Sequence, residues 1–248
     1  MGHEPLVLYN SRLILACNYD QTLHRKESLM EFDIPRQIGA VTRRVETRLH
    51  EGQPARVVVA TRTYDTTVDD LWDAVTNKER IPRWFLPVSG DLRLGGRYQL
   101  QGNAGGTITR CEPPRVVAMT WEFGGEVTWL EVTLEPTADG RSLLRLEHVA
   151  RVPDPRWDEF GPGAVGVGWD TALLGLGQYV ATGTAVDPRE GMAWLGSENG
   201  REFVRSSSDD WCRASIAAGT DAAAARAAAA RTTAAYTGVP ADTASASG

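Results

Sequence analysis

Apolar and polar positions alternate in two different rhythms along the chain, and the change of rhythm marks out its elements. Ala55 to Tyr64 is a β-branched run and reads as a strand. Asp65-Thr66-Thr67 then offers turn and N-cap chemistry, and Val68, Leu71, Trp72 and Val75 follow at helical spacing. A second helix is predicted from Lys78 to Trp84, capped by Asn77 and bent or shortened by Pro82. From Val88 the period becomes two. Strands are predicted at Arg97–Leu100, Thr107–Cys111, Val116–Phe123, Val127–Glu135 and Ser142–Val149, with glycine- or proline-bearing turns between them. Connections this short make the strands an antiparallel meander. After Pro155 the rhythm changes again, and Val165, Trp169, Leu173, Leu176 and Val180 recur at steps of three and four. Gly166, Gly168, Gly175 and Gly177 each cost that segment up to ~1 kcal/mol of helix propensity, so only close packing on a sheet would keep it helical.

The ends have no such order. Residues 1–29 show neither period, and Met30, which opens the stretch leading into the organised part, is a candidate natural start with an upstream extension before it. Leu13 to Cys17 is similar to a lipoprotein cleavage site, but no basic region precedes it and its apolar core is short. Further helices are expected at Glu190–Trp194 and from Glu198 through Trp211. Residues 213–248 hold 16 alanines and hardly an aromatic, so a solvated, fraying helix followed by disorder is expected there, dispensable to the fold.

Composition narrows the function classes. The 26 basic residues include only two lysines and face 32 acidic ones, a balance of −6 that disfavours a nucleic-acid partner. No apolar run approaches the roughly 18 residues of a membrane span. Cys17, Cys111 and Cys212 are too far apart for a C-x-x-C motif, and their odd number suits a reducing cytoplasm, so no structural metal and no cofactor is expected.

Five segments in order resemble one known family. Thr67 to Thr76 looks like its first helix after strand one, and Ile81-Pro82-Arg83-Trp84-Phe85 like its tryptophan-bearing second helix. Leu94 to Tyr98 resembles its glycine hairpin, Pro114 to Glu122 its strand ending in Thr-Trp, and Gly168-Trp169 to Leu173 its final helix. The family is the START-like superfamily, also called SRPBCC, in the branch named after the activator of Hsp90 ATPase homologue 1. The resemblance implies an α+β, helix-grip (START-like/Bet v 1-like) fold, a curved antiparallel sheet wrapped around a long C-terminal helix. It covers residues 53–183 as the START-like domain. Residues 1–52 are left as an N-terminal extension, 184–212 as an additional helical segment and 213–248 as the alanine-rich tail.

Strand alternation puts Leu144, Leu146 and His148 on one face, and likewise Val117, Met119, Trp121 and Phe123, and Leu130, Val132 and Leu134. With Trp169, Leu173 and Leu176 on the closing helix, these sets would line the space where, in the resembling families, apolar or amphipathic small molecules bind. The candidate ligand-binding residues are therefore Trp84, Phe85, Met119, Trp121, Leu130, Val132, Leu146, His148, Trp169, Leu173 and Leu176. Two readings stay open for most of them, pocket wall and solid core. His148 is either a ligand partner or general base, or a histidine hydrogen-bonded at a strand end. Trp84 and Phe85 either form a lid or cover the sheet edge. Trp157 and Phe160, in the proline- and acid-rich loop before the final helix, border the region without assigned chemistry.

No nucleophile elbow, phosphate loop or H-x-x-x-H pair occurs in the sequence. Three functions follow: a cytoplasmic small-molecule-binding protein, an enzyme of cyclase, aromatase or hydrolase kind using the same cavity, and a chaperone-interacting protein stimulating an Hsp90-type ATPase. The first is preferred. The family's eukaryotic co-chaperone carries a separate N-terminal domain that residues 1–52 are too short to supply. An open sheet edge would allow a homodimer.

Overall fold

The structure is a computed structural model that describes residues 32–239. The Met30 start, the Leu13–Cys17 stretch and the chain beyond 239 lie outside the described residues. A short helix α1 (Ile34–Gly39) leads into β1 (Val41–His50) and β2 (Gln53–Tyr64). Helix α2 (Val68–Thr76) and a single 3-10 turn (Ile81–Arg83) carry the chain across to β3 (Val88–Gly90). Strands β4 (Arg97–Leu100), β5 (Gly105–Glu112), β6 (Val116–Phe123), β7 (Glu126–Pro136) and β8 (Ser142–Arg151) complete the meander. Helices α3 (Pro155–Phe160), α4 (Gly163–Thr182), α5 (Pro188–Gly196), α6 (Glu198–Ala217) and α7 (Ala222–Thr237) follow.

The strands form one antiparallel sheet in the order β1-β2-β8-β7-β6-β5-β4-β3. The chain leaves β2 through α2 and the 3-10 turn to reach β3 at the far edge, and the sequential meander brings β8 back beside β2, with Val58 opposite His148. The sheet and C-terminal helices make the α+β helix-grip architecture. Helix α2 starts as its sequence suggests, the Thr67 hydroxyl accepting from the Asp70 N–H at 3.3 Å. The helix expected from Lys78 to Trp84 is only the turn Ile81–Arg83, because proline at the second position of that turn cannot donate a helical hydrogen bond.

Two expectations about the ends need correction. Residues 41–50, expected as part of an N-terminal extension, are a strand of the sheet, since β1 pairs with β2 along its whole length, from Val41 opposite Arg62 to His50 opposite Gln53. Its period was hidden because an inward position is held by a charge, Arg43, whose side chain is only 3% exposed. The alanine-rich tail is not a solvated appendage as far as Thr237. Helix α7 buries Ala225, Ala228, Ala229 and Thr232, and the Thr232 hydroxyl donates to the Phe160 carbonyl at 2.8 Å. Small side chains permit that close approach, so alanine here is packing material even though it supplies little apolar bulk.

The main core lies between the sheet and α4. A second, smaller cluster joins Ile34 and Ile38 of α1 to Leu174, Trp194 and Phe203 of the C-terminal helices. Helix α4 tolerates its glycines because neighbours press against it. A Cβ on Gly166 would fall 2.4 Å from the Trp211 indole, and one on Gly175 would fall 2.7 Å from the Trp84 carbonyl oxygen.

Candidate functional site

Alternation along β6, β7 and β8 brings Met119 and Trp121, Leu130 and Val132, and Leu146 to the inner face, and one stripe of α4 opposes them with Trp169, Leu173 and Leu176. The loop after the 3-10 turn adds Trp84 and Phe85. These ten of the eleven candidates line one interior space of about 110 Å³. The space is also walled by residues not singled out from the sequence, among them Val75, Ile81, Leu100, Ile108 and Cys111. Leu100 and Ile108 are within reach of the same period-two reasoning, but β4 is short, and in β5 the glycines at 105 and 106 blur the alternation.

None of the lining residues carries a formal charge. Most of their polar hydrogens are committed to protein acceptors. The Trp84 indole donates to the Ala74 carbonyl at 2.9 Å, the Tyr98 hydroxyl to the Thr120 carbonyl at 2.8 Å, and the Thr76 hydroxyl to the Trp72 carbonyl at 2.7 Å. Burial pushes the Tyr98 phenol up, so it stays neutral. An aromatic series spans the space: Trp84 stacks on Phe85 with centroids 5.5 Å apart, Phe85 lies 6.3 Å from Trp169, and Trp169 meets Trp121 edge-on at 5.0 Å. Trp84, held by its indole bond and by the approach of its carbonyl to α4, forms a wall here.

His148 does not line that space. It faces a second recess of about 90 Å³ lined by Thr128, Glu126, Asp154, Arg156 and Trp157, among others. Its Nδ1 accepts from the Trp169 indole at 3.0 Å, which leaves the proton on Nε2, and Nε2 donates to the Thr128 hydroxyl at 2.8 Å. Thr128 passes the chain on to the Trp121 carbonyl at 3.2 Å. Burial drives the imidazole down to about 4, so it is neutral at physiological pH. With one nitrogen accepting and the other protonated, it has no free lone pair with which to take a substrate proton.

The neighbouring carboxylates Glu147 and Asp170 are bonded elsewhere. Glu147 points to the outer face, where Arg48 and Arg145 each lie 2.6 Å away. Asp170 points from the far side of α4 toward α6, where its Oδ2 accepts from Arg43 Nε at 2.8 Å, Ser207 at 2.5 Å and the Trp211 indole at 3.1 Å. Burial raises its carboxyl, and Arg43, Ser207 and Trp211 oppose that rise. Among the described residues no group of three His, Cys, Asp or Glu is placed to hold a metal, and no helix is long and apolar enough to cross a membrane.

Comparison with known proteins places this geometry. A family model described as activator of Hsp90 ATPase homolog 1-like protein matches residues 65–181. The crystal structure of CalU16 from Micromonospora echinospora is 32% identical over 73% of this chain and 99% of that one, with a TM-score of 0.57. Its solution structure agrees, at 33% identity over 73% and 97% of the two chains and a TM-score of 0.59. The Hsp90 activator PFC0360w from Plasmodium falciparum, 20% identical over 42% of this chain and 79% of that one, has a TM-score of only 0.37 and carries no argument about function. No curated protein matches. The helix-grip sheet, the ordered motifs and the extent of the CalU16 match lead to one assignment: the chain belongs to the activator of Hsp90 ATPase homolog 1-like branch of the START-like superfamily.

Proposed function

We propose that the protein binds a small apolar or amphipathic molecule, in the cytoplasm, within the space between the sheet and α4. The observation that carries this reading is a wall without formal charge whose polar hydrogens are largely spent on the protein itself. Water entering such a space finds few partners, whereas an apolar guest loses nothing and gains dispersion contacts. The volume of about 110 Å³ suits a single small ring. An engineered apolar cavity of roughly 150 Å³ is known to stay dry and to take benzene. Larger guests would need the walls to move.

The enzyme reading finds less support. Its main candidate, His148, is tied at both nitrogens, and the ring carries its proton on the nitrogen facing the recess. The test is a thermal-shift series with toluene, indole and larger apolar metabolites. Binding to the native state alone raises the melting temperature with ligand concentration. Leu173→Trp, which fills the space from α4, is expected to abolish the shift while leaving the protein folded. A library in which no compound raises the melting temperature of the wild type would overturn the reading.

A further inference from the structure

The interior is divided. The apolar space between the sheet and α4 and the polar recess beside His148 are lined by separate sets of residues, and Trp121 alone is common to both among the described residues. Beside it stand Trp169, which walls the apolar side, and His148, which walls the polar side, joined to each other by the indole-to-imidazole bond of 3.0 Å. Three rings thus make the partition, with Trp121 6.1 Å from His148 and 5.0 Å from Trp169. The anchoring of these rings is unequal. Trp84 and Trp169 donate their indole hydrogens to protein acceptors, whereas the Trp121 indole N–H is bonded to no described residue. Trp121 is held by its ring contacts and by packing only.

The two sides also differ in chemistry. On the polar side Arg156 is ion-paired with Glu126, and the Asp154 carboxylate accepts the Arg156 backbone N–H at 3.0 Å. Arg156 and Glu126 already neutralise each other, and the neutral groups of the recess, the Thr128 hydroxyl among them, suit a hydroxyl or amide. At about 110 and about 90 Å³, each compartment matches about one small ring. Ligand sites for drug-sized molecules run from roughly 300 to 1,000 Å³.

We propose that the two compartments are halves of one binding site, that Trp121 is the movable partition between them, and that the ligand is a molecule at least two rings long with an uncharged hydroxyl or amide at one end. Its apolar end lies against Leu146 and Leu173, and its polar end lies by Thr128. This rests on the binding function proposed above and adds the length and polarity of the ligand. Loading requires the Trp121 ring to swing away from its edge contacts with Trp169 and His148, and the Trp169–His148 bond keeps the remaining wall in place.

The experiment titrates the full-length protein with two probes and follows assigned indole and backbone N–H resonances by heteronuclear NMR. Toluene fits the apolar compartment alone, and is expected to perturb Trp84 and Trp169 while leaving Trp157 and Ala164 unmoved. Para-phenylphenol spans the partition, and is expected to perturb both groups together with the Trp121 indole. Trp121→Ala should raise the affinity for para-phenylphenol relative to toluene by about tenfold or more, since the partition no longer has to move. Should that variant fail to fold, Trp121→Phe keeps a ring against Trp169 and should shift the ratio the same way by a smaller factor. If toluene binds but para-phenylphenol perturbs one compartment only, or the affinity ratio is unchanged in the folded variant, the partition is wrong and the binding function stands. If neither probe binds, both fall.

Discussion

At the scale of single residues, His148 has the most measurable chemistry. Its imidazole is neutral because burial disfavours the charged form, and its tautomer is set by accepting from Trp169 and donating to Thr128. In the unfolded chain it titrates near 6.5, and in the fold near 4. Between those values the unfolded state binds more protons, so stability falls as the pH drops from about 6.5 toward about 4, and this group contributes no further loss below that. The contribution lost is on the order of 3 kcal/mol for so large a shift. Asp170 acts in the opposite direction, because a carboxyl raised by burial is protonated first in the fold and adds stability as pH falls. Chemical denaturation of wild type and His148→Gln across this range separates the two, since Asp170 is common to both. The variant is expected to lack most of the acid-side slope, and parallel curves would contradict the buried neutral imidazole.

At the scale of elements, α4 explains why a helix with so many glycines persists. Propensity argues against it, yet its glycines let α6 and the 3-10 turn approach the helix backbone. Gly166 faces the Trp211 indole, which is fully buried and donates to Asp170 on the same helix. Gly166→Ala gains about 1 kcal/mol of helix propensity and loses more than that through overpacking, so a net destabilisation on the order of 2 kcal/mol is expected. Equilibrium unfolding in urea measures it, and a neutral or stabilising substitution would show that α6 is free to retreat. Helix α7 follows the same logic, with Thr232 and Tyr236 donating to the Phe160 and Ala164 carbonyls, so the start of α4 is held from outside the grip.

At the scale of the whole molecule, Arg43 joins three layers. From the edge strand β1 it donates to Asp170 on α4 and to Asp210 on α6 at 2.7 Å. The sheet, the gripped helix and the outer helices therefore meet at one buried ionic centre, on the side of α4 opposite the interior space. Removing one partner leaves the other buried without its counter-charge, which is far more costly than removing both. Arg43→Met is expected to cost roughly 3–5 kcal/mol, and the double substitution Arg43→Met with Asp170→Leu less than the sum of the two single changes. Additive losses would mean the two side chains act independently. A melting transition lost in one step by all variants would further show that the outer helices unfold with the grip.

The sequence alone determined the meander, the crossing helix α2 and the stripe of α4, because periods of two and of 3.6 are local consequences of backbone geometry and need no knowledge of neighbours. The same two periods were enough to select eight residues that line a common space. Tertiary structure alone decided the rest. Strand β1 escaped detection because Arg43 occupies an inward position whose charge makes sense only opposite Asp170, 127 residues away in the chain. Helix α7 escaped because alanine signals a packed helix only when a partner surface is close enough to use its small size. His148 shares the inward face with Leu146, yet it belongs to another compartment, since the position of the Trp121 ring divides the interior and no one-dimensional pattern encodes where a side chain comes to rest.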